Sequence, residues 1–308
     1  MPSRIPSSIW RKAMQLKNKI KMDRSGKIST ILLAVIVIIV VVIVAVALYV
    51  VLSGDNNNET EQEIAPGTVV EYNVEGVPGM ETLKMEYIGQ NIDNYFIKST
   101  VDGAIAYYMS PKDYNIDDYN FVGTQEMSTC DGDMTIAIVE YSDGTISYTE
   151  YDNPETGLPY MIEYSGGMIL TLKGGYVLKT QDMGSYRESD AIGTTNTFAL
   201  VYTTETDYTA KSVCVADCQN GQYGIMYDFT SVGGPEVYAV SDSPQGLPTD
   251  AEDSGYTYTA HEVTFEVWYY TDNSSFMVYL YYDPDSGIIG DIGLDLGDGT
   301  MLLFELMA

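Results

Sequence analysis

The stretch YDNPETGL, residues 151–158, returns as YYDPDSGI, residues 281–288, and its reading decides the fold. Each copy carries Asn or Asp, then Pro, an acid, Thr or Ser, and Gly. Proline presets φ for the first turn position, the Asn or Asp side chain caps the turn, and Gly takes the left-handed conformation. Turn chemistry accounts for every residue, including the tip acids Glu155 and Asp285, so no catalytic role is assigned to this loop.

The agreement extends outward from the turn. Upstream, MTIAIVEYSD (134–143) aligns with VTFEVWYYTD (263–272); downstream, each copy alternates through a Gly-containing turn into an apolar strand, MILTL (168–172) or MLLFE (301–305). The segments that precede 134 and 263 do not align. Asp102-Gly103, Asp143-Gly144, Asn220-Gly221 and Asp298-Gly299 separate short alternating runs, the pattern of β-hairpins. The expected fold class is mainly β: an antiparallel ectodomain of two related units, 68–180 and 190–308, behind one N-terminal transmembrane helix.

That helix is read from Ile31 to Leu52, which holds no charge and whose only side-chain polar atom is the Tyr49 hydroxyl. At about 1.5 Å per residue it spans about 33 Å, enough for a bilayer core of roughly 30 Å. The divisions expected are a basic cytoplasmic head (1–29), the membrane span (30–53) and a flexible acidic stalk (54–67). Eight bases and one acid precede the run, which keeps the head inside and places the body outside. Ala45-Val46-Ala47 resembles a signal-peptidase site but lies within the apolar run, so a retained signal-anchor is expected. Ile9, Ala13, Leu16 and Ile20, with Trp10, recur at helical spacing among bases. They read either as a short helix on anionic lipid headgroups or as a solvated tail.

Residues 54–308 carry seven bases against 43 acids, a formal charge of −36. Such a surface repels nucleic acid and anionic lipid and attracts cations or basic partners, while keeping an exterior domain soluble. Cys130, Cys214 and Cys218 are too few for a disulfide framework. Cys214 and Cys218 can pair only if Ala216-Asp217 turns or bulges, because four straight strand steps cover about 13 Å. No zinc spacing is present. Asn58 and Asn273 open sequons for N-glycosylation.

Catalytic chemistry finds little to stand on. His261 is the sole histidine, no Gly-x-Ser-x-Gly accompanies it, and among 43 acids no pair can be singled out. Asp291, Asp295 and Asp298 cluster, as do Asp131 and Asp133, without the order of a calcium loop. No cofactor or metal site is assigned, and no enzymatic activity is expected. Twenty-six of 27 tyrosines lie in the body. Tyr279 and Tyr281 share a strand face, with Tyr282 opposite, and together with Tyr148 they are candidates for partner binding; cross-strand packing is the competing role.

The strand, the Tyr-x-[Asn/Asp]-Pro-x-[Thr/Ser]-Gly-Leu turn and the returning strand resemble those of uncharacterised single-pass surface proteins of archaea. The turn is also similar to one in the curved sheet of lipoprotein-carrier-like domains of bacterial envelopes, although the lipobox cysteine is missing. The resemblance covers two hairpins and implies a surface location. The expected role is surface display, adhesion or binding of an envelope protein or glycan. The alternatives are a carrier or sensor of an apolar ligand on a curved sheet and, third, a glycan-acting enzyme.

Overall fold

The computed structural model describes residues 62–112, 119–142, 147–182, 184–201, 208–260, 262–271, 276–297 and 300–307. The basic head, the Ile31–Leu52 run, Asn58, Asn273, His261 and Asp298-Gly299 lie outside them. Among the described residues no helix is long and apolar enough to cross a membrane.

Alternating apolar and polar residues give antiparallel strands throughout, as their period of two requires. Numbered in chain order, the strands form two runs. The first is, in spatial order, β6 (Tyr119–Thr129), β7 (Gly132–Ser142), β8 (Ser147–Asp152), β9 (Pro159–Tyr164), β10 (Ile169–Leu172), β2 (Val69–Glu75), β3 (Thr82–Gln90), β4 (Asn94–Val101) and β5 (Ala104–Pro111). The second is β16 (Glu252–Ala260), β17 (Val263–Tyr270), β18 (Met277–Asp283), β19 (Ile288–Asp295), β20 (Met301–Leu306), β12 (Thr195–Leu200), β13 (Thr209–Cys218), β14 (Tyr223–Asp228) and β15 (Glu236–Ser241). Strand for strand the two orders are the same.

Irregularities repeat as well. Register shifts fall between β3 and β4, β6 and β7, and β8 and β9, and again between β13 and β14, β16 and β17, and β18 and β19. Bulges are local devices that re-aim a strand, so their recurrence extends the repeat to the halves whose sequences do not align. The two Pro-containing turns, 151–158 and 281–288, match in detail. Asn153 Oδ1 accepts from the Glu155 amide at 2.8 Å and Asp283 Oδ1 from the Asp285 amide at 3.0 Å. Gly157 (φ 65°) and Gly287 (φ 75°) close them in the left-handed region.

Each run buries one face. The first core gathers Tyr72, Leu83, Met85, Tyr87, Ile97, Ile162 and Leu170; the second gathers Phe198, Tyr227, Phe229, Leu280, Ile292 and Phe304. With no helix laid on these faces among the described residues, nine twisted strands must curl to cover their own side chains. The curl is visible where Tyr72 on β2 reaches past β10 to donate to the Pro159 carbonyl on β9, at 3.3 Å. Both runs belong to one hydrogen-bonded network, joined where β3 pairs with β13. Among the described residues no ladder joins β5 to β6 or β15 to β16.

The runs meet through corresponding strands. Thr82-Leu83-Lys84 on β3 matches Thr209-Ala210-Lys211 on β13, which places Gln90 and Asp217 at equivalent positions. These two residues are directly paired, and Gly89 pairs Cys218 beside them. An approximate two-fold axis therefore relates β3 to β13. Gly89 is required there, since a Cβ on it would lie 2.5 Å from the Asp217 carbonyl oxygen and 2.7 Å from Cys218 Sγ. Phe96, Ala216 and Val240 fill the space between the sheets.

Two expectations need correction. The stalk does not extend to residue 67: β1 (Gln62–Ile64) pairs with β11 (Thr180–Asp182), and Ile64 is buried. An apolar side chain and the Glu63–Lys112 ion pair, 3.5 Å, hold that segment to the body. Cys214 and Cys218 are free thiols. The bulge between Cys214 and Ala216 does not reverse the strand, so β13 runs straight on and keeps the sulfurs apart. Burial pushes Cys214 up to about 11 and Cys218 up to about 12, so both are protonated at neutral pH.

Candidate functional site

Cross-strand register assigns the two faces of the second sheet, because directly opposed residues project to the same side. Tyr258 opposes Phe265, Tyr256 opposes Val267, Val267 opposes Tyr281, and Tyr269 opposes Tyr279. All seven side chains lie on one face. Trp268, Tyr270, Val278 and Leu280, at the intervening positions, pack into the core. The aromatic row is thus the outer face of β16, β17 and β18. Tyr279 and Tyr281 fall on it as the sequence pattern expects, and Tyr282 turns inward to the core.

Small residues beneath the rings let them lie flat. A Cβ on Gly290 would stand 2.4 Å from Phe265 Cε1, and one on Gly293 would stand 3.3 Å from Tyr279 Cβ. Phe265 and Val267 are consequently 9% exposed, while Tyr258 is 39% and Tyr256 75% exposed. Tyr258 and Tyr281 meet edge to face at 5.3 Å. The Tyr269 hydroxyl donates to Glu252, a bond that raises its pKa. Burial thus increases inward from β16, the outermost strand, leaving an aromatic ledge at the sheet edge with carboxylates beside it.

Tyr148 does not belong to such a surface. It is 3% exposed and stacks on Tyr141 at 4.7 Å in the first core, with its hydroxyl 3.3 Å from that of Tyr119. This corrects its assignment as a partner-binding residue; alternation turns it inward with Glu150 and Asp152.

Glu150 and Asp152 form a second unusual constellation. Glu150 is wholly buried and Asp152 is 4% exposed. Among the described residues, both Glu150 oxygens, Asp152 Oδ1 and the hydroxyls of Tyr87 and Tyr164 are buried without a hydrogen-bond partner. Burial, then the Asp152 charge, drives the Glu150 pKa well above the carboxylate range, and burial does the same to Asp152. Tyr164 is raised by burial and then by Glu150. The pair holds protons in an apolar interior, but its burial closes it to a substrate. Composition did not reveal it. The repeat would have: shifting by the offset that aligns the two turns puts Leu280 at Glu150 and Tyr282 at Asp152.

The other acid clusters already have donors from the protein. Asp131 Oδ2 accepts from Tyr160 and Tyr176, each at 2.6 Å, and Asp133 accepts from Ser128. Asp295 caps a turn through the Gly297 amide, at 2.8 Å, and Asp291 is buried under the outer face opposite Tyr281. Among the described residues no three His, Cys, Asp or Glu side chains are placed to hold a metal ion. A cleft of about 510 Å³ opens beside the β7–β8 hairpin, lined by Tyr141, Tyr148 and Tyr164 together with Glu140, Thr149 and Glu163.

No protein-family model matches the chain, and no curated protein matches it. Among solved structures, a chain from the complex of Pseudomonas aeruginosa MucA/MucB is similar over 85% of this chain and 92% of that one, with 11% identity and a TM-score of 0.25. Agreement that loose carries no function across.

Proposed function

We propose that this is a membrane-anchored, extracytoplasmic binding protein. Ile31–Leu52 spans the bilayer, the basic head stays in the cytoplasm, and the aromatic outer face of β16–β18 docks an envelope partner. The observation that carries this reading is the graded burial of Tyr256, Tyr258, Phe265, Tyr269, Tyr279 and Tyr281 on one solvent-facing side. Aromatic rings offer large apolar area with a polar tip and little side-chain entropy, which is why they concentrate at binding surfaces. A carrier of an apolar ligand would use the cleft beside the β7–β8 hairpin, where Tyr141, Tyr148 and Tyr164 are joined by Glu140 and Glu163; the outer face of β16–β18 offers the longer aromatic row. A glycan-acting enzyme would need a pair of accessible carboxylates: Glu150 and Asp152 are sealed, and of the two acids at the cleft, Glu140 and Glu163, the second already accepts from Tyr151.

Site-specific photo-crosslinking on intact cells tests the reading. A photoreactive residue at Ala260, which pairs with Val263 on the outer face of β16 and β17, should give a discrete adduct, and one at the exposed Lys211 of β13 should not. Tyr256→Ser with Tyr258→Ser should abolish the adduct. No adduct from 260, or an equal one from 211, would remove the docking face from consideration.

A further inference from the structure

We infer that β16 receives an extended, basic segment of a partner protein as an additional strand, an inference that rests on the outer face of β16–β18 being the docking surface. β16 pairs with β17 on one side and, among the described residues, with no strand on the other. Such an edge presents a row of free N–H and C=O groups, a template for strand addition. Part of the row is already occupied: the Gly255 amide donates to Asp253 Oδ1 at 2.8 Å and the Tyr256 amide to Ser254 Oγ at 3.2 Å, within the bulge. The open stretch therefore begins at Thr257. It runs through Thr257-Tyr-Thr259, a β-favouring sequence free of Pro and Lys, in which every residue is exposed.

Charge selects the incoming strand. Edge strands are commonly blunted by Lys, but β16 carries Glu252 and Asp253, and Glu262 follows it. Acidic protection discriminates: a second copy, itself at −36 over residues 54–308, is repelled, while a basic segment is drawn in. Alternate Lys or Arg side chains on an added strand would project to the side of Tyr256 and Tyr258. There they would meet ring faces and the carboxylate of Glu252, the arrangement that favours cations over aromatic rings. Main-chain bonds would supply the affinity and this row of rings and acids the specificity.

Hydrogen exchange on the full chain in nanodiscs tests the inference. The probe is a twelve-residue peptide alternating Lys and Val, compared with one alternating Glu and Val. The Lys peptide should slow exchange in residues 257–260 by about tenfold, as formation of new ladder bonds does, with β18 as the unchanged internal reference. Thr257→Lys with Thr259→Lys should remove that protection. Binding of the Lys peptide without protection of β16 would mean diffuse attraction and overturn the inference; so would equal protection by the Glu peptide. Protection that rises with protein concentration and without peptide would make a second copy the occupant, which also overturns it. If protection fails while the Ala260 adduct still forms on cells, the docking face stands and strand addition alone is lost; failure of both removes the docking face too.

Discussion

Glu150 occupies the place that Leu280 fills in the second sheet, between Val139 and Ile162 where Leu280 lies between Trp268 and Ile292. An uncharged apolar side chain therefore suits the position. The folded protein keeps protons on the Glu150–Asp152 pair at pH values where the unfolded chain, with carboxylates near their usual values of about 4, has lost them. The stability contributed by the pair is thus present in acid and is lost as pH rises above about 4 toward the folded values. Asp217 works in the other direction. Burial pushes it up, but hydrogen bonds from Ser189 and Tyr186 outweigh that and hold it low, so its contribution is lost on acidification. The difference between wild type and Glu150→Leu isolates the pair. The variant should gain on the order of 1–4 kcal/mol at pH 8 and little at pH 4, measured by urea denaturation across that range. An advantage independent of pH would show that packing, not ionisation, dominates the site.

At the scale of elements, the outer face of the second sheet depends on what lies under it. Gly290→Ala puts a methyl group into the Phe265 ring, which has to lift off β19. The expected cost is about 1–3 kcal/mol, the range for overpacking, accompanied by a change in Trp268 fluorescence as β17 shifts. An unchanged melting temperature would mean that the ring moves freely and the ledge is not preorganised. The junction of the two runs rests on another glycine. Gly89→Ala should disturb the Gln90–Asp217 and Gly89–Cys218 pairs and speed the reaction of Cys218 with a thiol reagent, read in a Cys130→Ser background. Buried Cys214 reports whether the effect stays local. If it becomes reactive at the same rate, β13 has unfolded as a whole.

For the whole molecule, the proposed orientation rests on the positive charge before Ile31 and its near absence after Leu52. Protease added to intact cells should remove residues beyond the stalk and leave an N-terminal fragment that contains the basic head. A body protected from protease, or a mature chain that begins after Ala47, would contradict this arrangement. The approximate two-fold at Gln90 and Asp217 has a further consequence. Tyr186, in the connection between the runs, donates to the Gln90 carbonyl at 3.1 Å and to the Asp217 carboxylate, so the connection is fastened to the same junction.

By itself the sequence determined the strand class, the two matching turns, and the shared face of Tyr279 and Tyr281. All of these follow from local rules: a period of two, proline's restricted φ, and glycine's access to the left-handed region. It did not disclose that the match continues through nine strands, since a strand pairing constrains face and bulge position far more than residue identity. That Tyr148 and Glu150 point inward while Tyr281 points outward was decided by tertiary structure. Alternation says which residues share a face, but which face is buried depends on how the sheet curls. The burial of Ile64 had the same origin, since a three-residue strand finds its partner more than a hundred residues away. The separation of Cys214 and Cys218 also had to be read in the fold, because a bulge and a turn look alike in the chain and differ only in where β13 goes next.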